Sequence, residues 1–152
     1  MWVAIALLVH LLAAMIWIGG MFFAYMVVRP MAVQFDPPVR LNVWAGVFKK
    51  FFPWVWFSIL FLLLSGYALM FGAFNGFAGS PWYVHFMHLL ALIMVAVFLH
   101  LYFAVYPKFK AHVQAQAWPE AAEKLNSIRR LVSINLIIGI LLVAGVMIGK
   151  YS

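Results

Sequence analysis

Residues 82–106 read WYVHFMHLLALIMVAVFLHLYFAVY, and this stretch decides the fold class of the chain. It contains no Asp, Glu, Lys or Arg. At 1.5 Å per residue, a helix of this length crosses the hydrocarbon core of a bilayer, which is about 30 Å thick. Backbone N–H and C=O groups find no water there, so they must be paired within a helix. The stretch therefore predicts a transmembrane helix.

Three further apolar stretches predict three more spans, at about residues 2–28, 51–71 and 131–149. Of the 152 residues, 68% are hydrophobic and 9% are charged, and the mean hydropathy is +1.08. A soluble domain of this size could not bury so much apolar surface. The sequence therefore predicts one all-α domain over residues 1–152, a polytopic membrane four-helix bundle whose main partner is the lipid bilayer.

Composition also excludes several classes of protein. The chain has no cysteine, so disulfides, thiolate metal sites, iron–sulfur clusters and haem attached through Cys-x-x-Cys-His are excluded. The net charge of +7 comes from basic residues in connecting segments, which is typical of membrane topology rather than of nucleic-acid binding. We expect no nucleic-acid partner and a location in a bacterial inner membrane. The sequence is also compatible with a homo-oligomer.

The charged loops predict the orientation. The connection after the first span and the connection after the third together hold nine of the ten Lys and Arg residues, whereas residues 72–80 hold none. Because basic residues concentrate on the cytoplasmic side, both termini should be extracytoplasmic. Within the basic connections, residues 37–50 are predicted to form a short helix on the cytoplasmic interface. Residues 119–130 are predicted to be a helical, interfacial or solvated connector.

No Asp, Glu, Lys or Arg lies deep within the spans, but histidines do. Histidines buried in a membrane are costly and usually have a functional or structural role. His10 follows Trp2 by eight residues and His88 follows Trp82 by six. The first and third spans run parallel, so both histidines lie roughly 9–12 Å below the same face. His85 is one turn shallower, on the same helix face as His88. This arrangement predicts His10 and His88 as a ligand pair, with His85 as the alternate.

Two imidazoles from facing helices are the usual means by which a four-helix bundle holds a b-type haem. We therefore predict haem b, with His10 and His88 as ligands of the haem iron and with small residues such as Gly20 admitting the flat macrocycle. Copper is the alternative, since Met87 lies beside His88 and copper(I) prefers soft donors. No His–Met cluster on one face is evident from the sequence, so haem is preferred. Interhelical hydrogen bonding would also account for these histidines.

A second polar site is predicted on the cytoplasmic side. His100 lies twelve residues beyond His88, roughly 18 Å deeper, so the two cannot share a ligand set. With Tyr102 and Asn135 it could bind a quinone or a second ligand. Interfacial snorkelling and interhelical hydrogen bonds explain the same residues equally well.

The first span also carries a family resemblance. The run HLLAAMIWIGGMFF at residues 10–23, with Arg29-Pro30 after it, resembles the first helix of CopD-like and HemJ-like membrane proteins. Further similar segments are Lys49 to Pro53, Ser65-Gly66, His100 to Tyr102 and Arg130 to Asn135. The resemblance implies a four-helix membrane protein. His10 corresponds to an important histidine of the HemJ branch, and the motif adds Trp17 to the predicted cofactor site.

The resemblance implies two different functions. Members of the HemJ branch bind haem b and oxidise protoporphyrinogen, whereas the CopD branch is assigned to copper resistance or uptake. A lysine of the HemJ branch near the start of the third helix is absent here, and His85 and His88 occupy that stretch. We therefore predict a six-coordinate haem that transfers electrons between a quinone and an extracytoplasmic redox partner, as a membrane oxidoreductase. Copper binding or transport without haem is the alternative, and protoporphyrinogen oxidation is the third.

Overall fold

The computed structural model describes all 152 residues and consists of four helices joined by short loops. The helices are α1 (Trp2–Ala32), α2 (Pro37–Ala73), α3 (Trp82–Gln114) and α4 (Trp118–Tyr151). Each is long and apolar enough to cross a membrane, and there are no strands. The predicted all-α membrane fold is confirmed.

Successive helices run in opposite directions, since Trp2 at the start of α1 packs on Gly72 and Trp82 at the start of α3 packs on Gly149. We call the end that holds both termini and residues 74–81 the terminal end. The opposite end holds the other two loops and most of the Lys and Arg residues, and we call it the basic end. Which end faces the cytoplasm stays a prediction.

The helices extend well beyond the predicted spans at the basic end. α2 has 37 residues, which corresponds to roughly 55 Å. Residues 37–50 are not a separate interfacial helix but the first part of α2, which continues through Pro53. Residues 119–130 likewise begin α4. The prediction of a separate short helix at 37–50 was wrong, whereas the helical prediction for 119–130 is confirmed. In both segments apolar side chains recur at helical spacing and are buried in the bundle core, so each segment continues into a long helix. The buried residues are Leu41, Trp44, Phe48, Ala121, Leu125 and Ile128.

The core of the basic half is aromatic. Phe48 stacks on Phe52, with their ring centroids 5.1 Å apart, and Tyr106 of α3 meets the Phe52 ring edge-on at 4.8 Å. Phe109, which is fully buried, meets the Phe48 ring edge-on at 5.7 Å. Such pairs contribute about 0.5–1.5 kcal/mol each beyond burial of their area. These rings therefore join α2 to α3 at the basic end.

α1 and α3 each contain one π-helical turn, at Ala24–Val28 and at Leu101–Val105. Each turn is followed closely by a proline, Pro30 or Pro107. Proline lacks a backbone N–H, and its ring clashes with the carbonyl group one turn earlier. A locally widened turn accommodates that clash without ending the helix. The two parallel helices thus share the same irregularity at comparable depth.

Candidate functional site

A cavity of about 90 Å³ lies between the four helices in the terminal half. It forms because α1 packs along α2 and α3 along α4, while the backbones of α2 and α3 hardly approach each other. Two imidazoles interrupt its otherwise largely apolar wall, and we call it the histidine cavity. The residues that line it are His10, Ala14, Trp17, Ile18, Ile59, Leu62, Leu63, Gly66, Tyr67, Met70, Val84, Met87, His88, Ala91, Met94, Val95 and Leu142.

His10 is held in place from α2. Its Nδ1 lies 2.9 Å from the hydroxyl of Ser65, and that hydroxyl donates its hydrogen to the carbonyl of Phe61. A hydroxyl has one hydrogen to donate, so towards His10 it acts as an acceptor and Nδ1 carries the proton. This tautomer leaves the Nε2 lone pair of His10 free to bind a metal ion.

Space for the His10 ring comes from Gly66. A Cβ atom at that position would lie 3.2 Å from Cε1 of His10, which is tighter than ordinary van der Waals contact. The roles of Ser65 and Gly66 were not predicted from the sequence. The available signal was a polar and a small residue within an apolar run, six or seven residues before Gly72 and therefore at the depth of His10.

His88 lines the same cavity from α3. Its ring meets Tyr67 edge-on at a centroid distance of 5.5 Å and Phe77 at 5.7 Å. The structure therefore brings His10 and His88 to one cavity, at matched depth on parallel helices. His85, the alternate ligand, is exposed one turn nearer the terminal end, where it stacks on Phe77, and does not line the cavity.

Three methionines share the cavity with the two histidines. Met70 comes from α2, and Met87 and Met94 come from α3. No His–Met cluster on one helix face was predicted from the sequence. Met87 and Met94 are seven residues apart and therefore lie on one side of α3, and both line the cavity that His88 also lines. No group of three or more His, Asp or Glu side chains is placed to hold a metal ion. A ligand set larger than two in this cavity would therefore include a methionine thioether or the Tyr67 hydroxyl.

Of the two remaining residues of the predicted cofactor site, Trp17 lines the histidine cavity and Gly20 does not. Trp17 is buried, lines the histidine cavity and meets Phe98 edge-on at 6.3 Å. Gly20 does not line the cavity. Its α-carbon lies against the ring of Phe51, where any side chain would collide, so the absence of a side chain serves the packing of α1 on α2.

The predicted second polar site is not assembled as a hydrogen-bonded group. Asn135 is buried, and its amide donates to the carbonyl of Met94 at 3.0 Å. Tyr102 lies among aromatic rings, including Trp56 at 5.4 Å, and His100 is exposed. No hydrogen bond joins these side chains, and a quinone at this place stays a prediction.

Comparison with known proteins finds the CopD family, which the first span also resembles. The match itself lies outside the first span. Residues 45–148, well over half of the chain, match the family described as CopD: Copper resistance protein D. The match covers α3 with His88 and nearly all of α4, but it begins after His10. No curated protein and no solved structure matches the chain. With four helices able to span a membrane, this integral membrane protein belongs to the copper resistance protein D family.

Proposed function

We propose that this protein binds copper(I) within the membrane as part of a copper-resistance function, with the histidine cavity as its site. The observation that carries the proposal is the meeting of two imidazoles and three thioethers in one cavity. Imidazole suits copper, and thioether sulfur favours copper(I) over harder ions such as Mg²⁺ and Ca²⁺. Copper is the cargo in this proposal, not a resident cofactor.

The surroundings of His10 support this assignment. Histidine ligands of metals generally donate their second ring N–H to a neighbouring acceptor, which fixes the ring and its tautomer. The contact of His10 Nδ1 with the Ser65 hydroxyl supplies that acceptor. Met94 and Met70, which line the same cavity, are nearly fully buried.

Haem b is the second candidate, and one observation favours it: His10 and His88 face the same cavity from parallel helices. When bound, a haem would supply one-electron chemistry, and these two residues would hold its iron. The cavity volume of about 90 Å³ is small beside the roughly 300–1,000 Å³ of typical ligand pockets. A macrocycle would therefore require α2 and α3 to separate further. Two of the predicted functions require a bound haem: electron transfer with a quinone or an extracytoplasmic partner, and protoporphyrinogen oxidation.

One preparation separates the two candidates. The full chain is purified from cells supplied with both copper and haem precursor, and its copper, iron and absorption spectrum are measured. We expect close to one copper per chain without a Soret band. A red protein with one iron per chain and split bands on reduction would replace copper with haem.

Variants then test the site itself. His10→Ala and His88→Ala should abolish stoichiometric copper, and Met87→Leu together with Met94→Leu should weaken copper binding. His85→Ala and His100→Ala are matched controls, because those histidines lie on the same helix as His88 but outside the cavity. Equal copper in all of these variants would refute the site.

A further inference from the structure

The histidine cavity comes nearest to the surface at one place, between α2 and α3. Among the residues that line it, Tyr67 alone is exposed, with 37% of its surface accessible. Tyr67 lies six residues before the end of α2, and His88, which also lines the cavity, lies six residues after the start of α3. The cavity therefore opens beside these two rings, near the terminal end.

Four aromatic rings bridge this opening in a closed cycle. Tyr67 stacks on Phe71 with centroids 6.4 Å apart, and Phe71 meets the ring of Phe77 edge-on at 5.8 Å. Phe77 meets the ring of His88 edge-on at 5.7 Å, and His88 meets Tyr67 at 5.5 Å. The backbones of α2 and α3 hardly approach each other, so side chains close this part of the gap.

Phe77 is the one ring of the four that a loop carries. Tyr67 and Phe71 belong to α2 and His88 belongs to α3, whereas Phe77 lies in the connection between these helices. Its ring is 46% exposed. Aromatic contacts are individually weak, and loops open at a lower cost in free energy than packed helices. Phe77 can therefore leave His88 without movement of a helix.

The opposite way out of the cavity is filled with rings. Trp17, seven residues beyond His10 towards the basic end, meets Phe98 edge-on at 6.3 Å. Phe98 in turn meets Phe52 at 5.7 Å and Trp56 at 5.4 Å. An ion that left the cavity in this direction would have to displace close-packed rings and cross an apolar core, and both are costly.

We propose that Phe77 is a lid on the histidine cavity, and that copper(I) enters and leaves the cavity only at the terminal end. That the exchanged ion is copper rests on the function proposed above, whereas the lid does not depend on it. His88 lies beside the opening, so it is the first ligand that an entering ion meets, and His10 follows. The protein thus exchanges copper with one side of the membrane rather than conducting it across.

The lid is tested without copper. The chain has no cysteine, so Ala91→Cys, at a position that lines the cavity, provides a single thiol inside it. We expect Phe77→Ala to accelerate modification of this thiol by a small cationic methanethiosulfonate reagent about tenfold or more. Phe35→Ala is the matched control, because Phe35 is 45% exposed and lies in a loop at the basic end. Phe77→Trp, which keeps a ring at the opening, should retain slow modification. Equal rates in Phe77→Ala and Phe35→Ala would overturn the lid.

Copper then tests the side of exchange. The full chain is loaded with copper(I) in sealed vesicles and challenged with the impermeant chelator bathocuproine disulfonate. We expect copper to be removed only where the terminal end faces the chelator, as read in parallel vesicles from impermeant maleimide labelling of Ala78→Cys. Phe77→Ala should accelerate uptake and release alike, about tenfold or more, with unchanged affinity. Removal at equal rates in both orientations would refute exchange at one end. If the protein binds no copper, the proposed function and the exchange fail together, while the Ala91→Cys rates still decide the lid.

Discussion

The two halves of this bundle are built from the same four helices but are filled differently. In the basic half, aromatic rings such as Phe48, Phe52 and Phe109 close the space between α2 and α3. In the terminal half the same two helices stay apart, and imidazoles and thioethers face the gap. Aromatic rings thus fill the space between the helices at one end, while a cavity remains between them at the other.

Small residues show the same difference. Gly20 brings α1 against the ring of Phe51, so there the absence of a side chain closes the packing. Gly66 lies in the wall of the histidine cavity, where the absence of a side chain leaves space for the His10 ring. At the terminal end, Gly72 again serves packing, because the Trp2 ring lies against it. The residue that faces a glycine in a membrane helix therefore indicates whether the glycine serves helix packing or leaves space in a cavity wall.

The strongest test of the comparison asks which end faces the cytoplasm, and its expected result is all-or-none. The chain has no cysteine, so Ala78→Cys in the terminal-end loop and Ala115→Cys in a basic-end loop report unambiguously. Because basic loops remain inside, a membrane-impermeant maleimide should label Ala78→Cys in intact cells and label Ala115→Cys only after permeabilisation. The reverse pattern would invert the proposed orientation.

Removing one ring from the basic half should produce the largest loss of stability. Phe109→Ala creates a cavity in a filled core and should lower the free energy of unfolding by about 3–5 kcal/mol. Phe103→Ala is the control on the same helix, since Phe103 is 65% exposed, and it should change stability by less than about 0.5 kcal/mol. Leu142→Ala should cost less than Phe109→Ala, because Leu142 already borders the histidine cavity. Reversible unfolding in mixed micelles measures all three, and equal losses would contradict the division into halves.

The fold could be predicted almost completely from the sequence, because bilayer thickness and backbone pairing leave few solutions for four long apolar segments. The exception was residues 37–50, which begin α2. Their mixed polarity is typical of an interface, but whether a helix continues through Pro53 depends on the helices that pack against it. A single sequence does not contain that tertiary information.

The site could be predicted only in part. Counting residues from Trp82 placed His88 at the depth of His10, and both line one cavity. Depth says nothing about rotation around the helix axis, however, so the exposure of His85 and the contribution of Met70 from another helix could not be read from spacing. Which ligand the cavity takes depends on its volume, which emerges only from packing.

The hydroxyl of Ser65 offers a finer test, on the terminal half. Ser65→Ala removes the acceptor for Nδ1 of His10, and loss of such a partner typically weakens metal affinity by 10–100-fold. Ser58→Ala is a matched control on α2, because the Ser58 hydroxyl is buried without a partner and its removal should be nearly neutral. Copper titration of the purified variants measures the difference. Similar affinities for both would mean that the hydrogen bond does not prepare His10 for metal binding.

The smallest effect is expected where the two halves meet. Asn135 ties α4 to α3 through its bond to the Met94 carbonyl, but its own Oδ1 is buried without a partner. Asn135→Leu removes both the hydrogen bond and the unpaired oxygen. The free energy gained by no longer burying that oxygen therefore offsets part of the free energy lost with the bond. Interhelical hydrogen bonds in membrane bundles contribute about 0.6 kcal/mol on average and at most about 1.7. We therefore expect a loss below about 1 kcal/mol in the same unfolding measurement, with copper affinity preserved because the Met94 thioether remains. A loss as large as that of Phe109→Ala would show that this single bond couples the filled half to the open one.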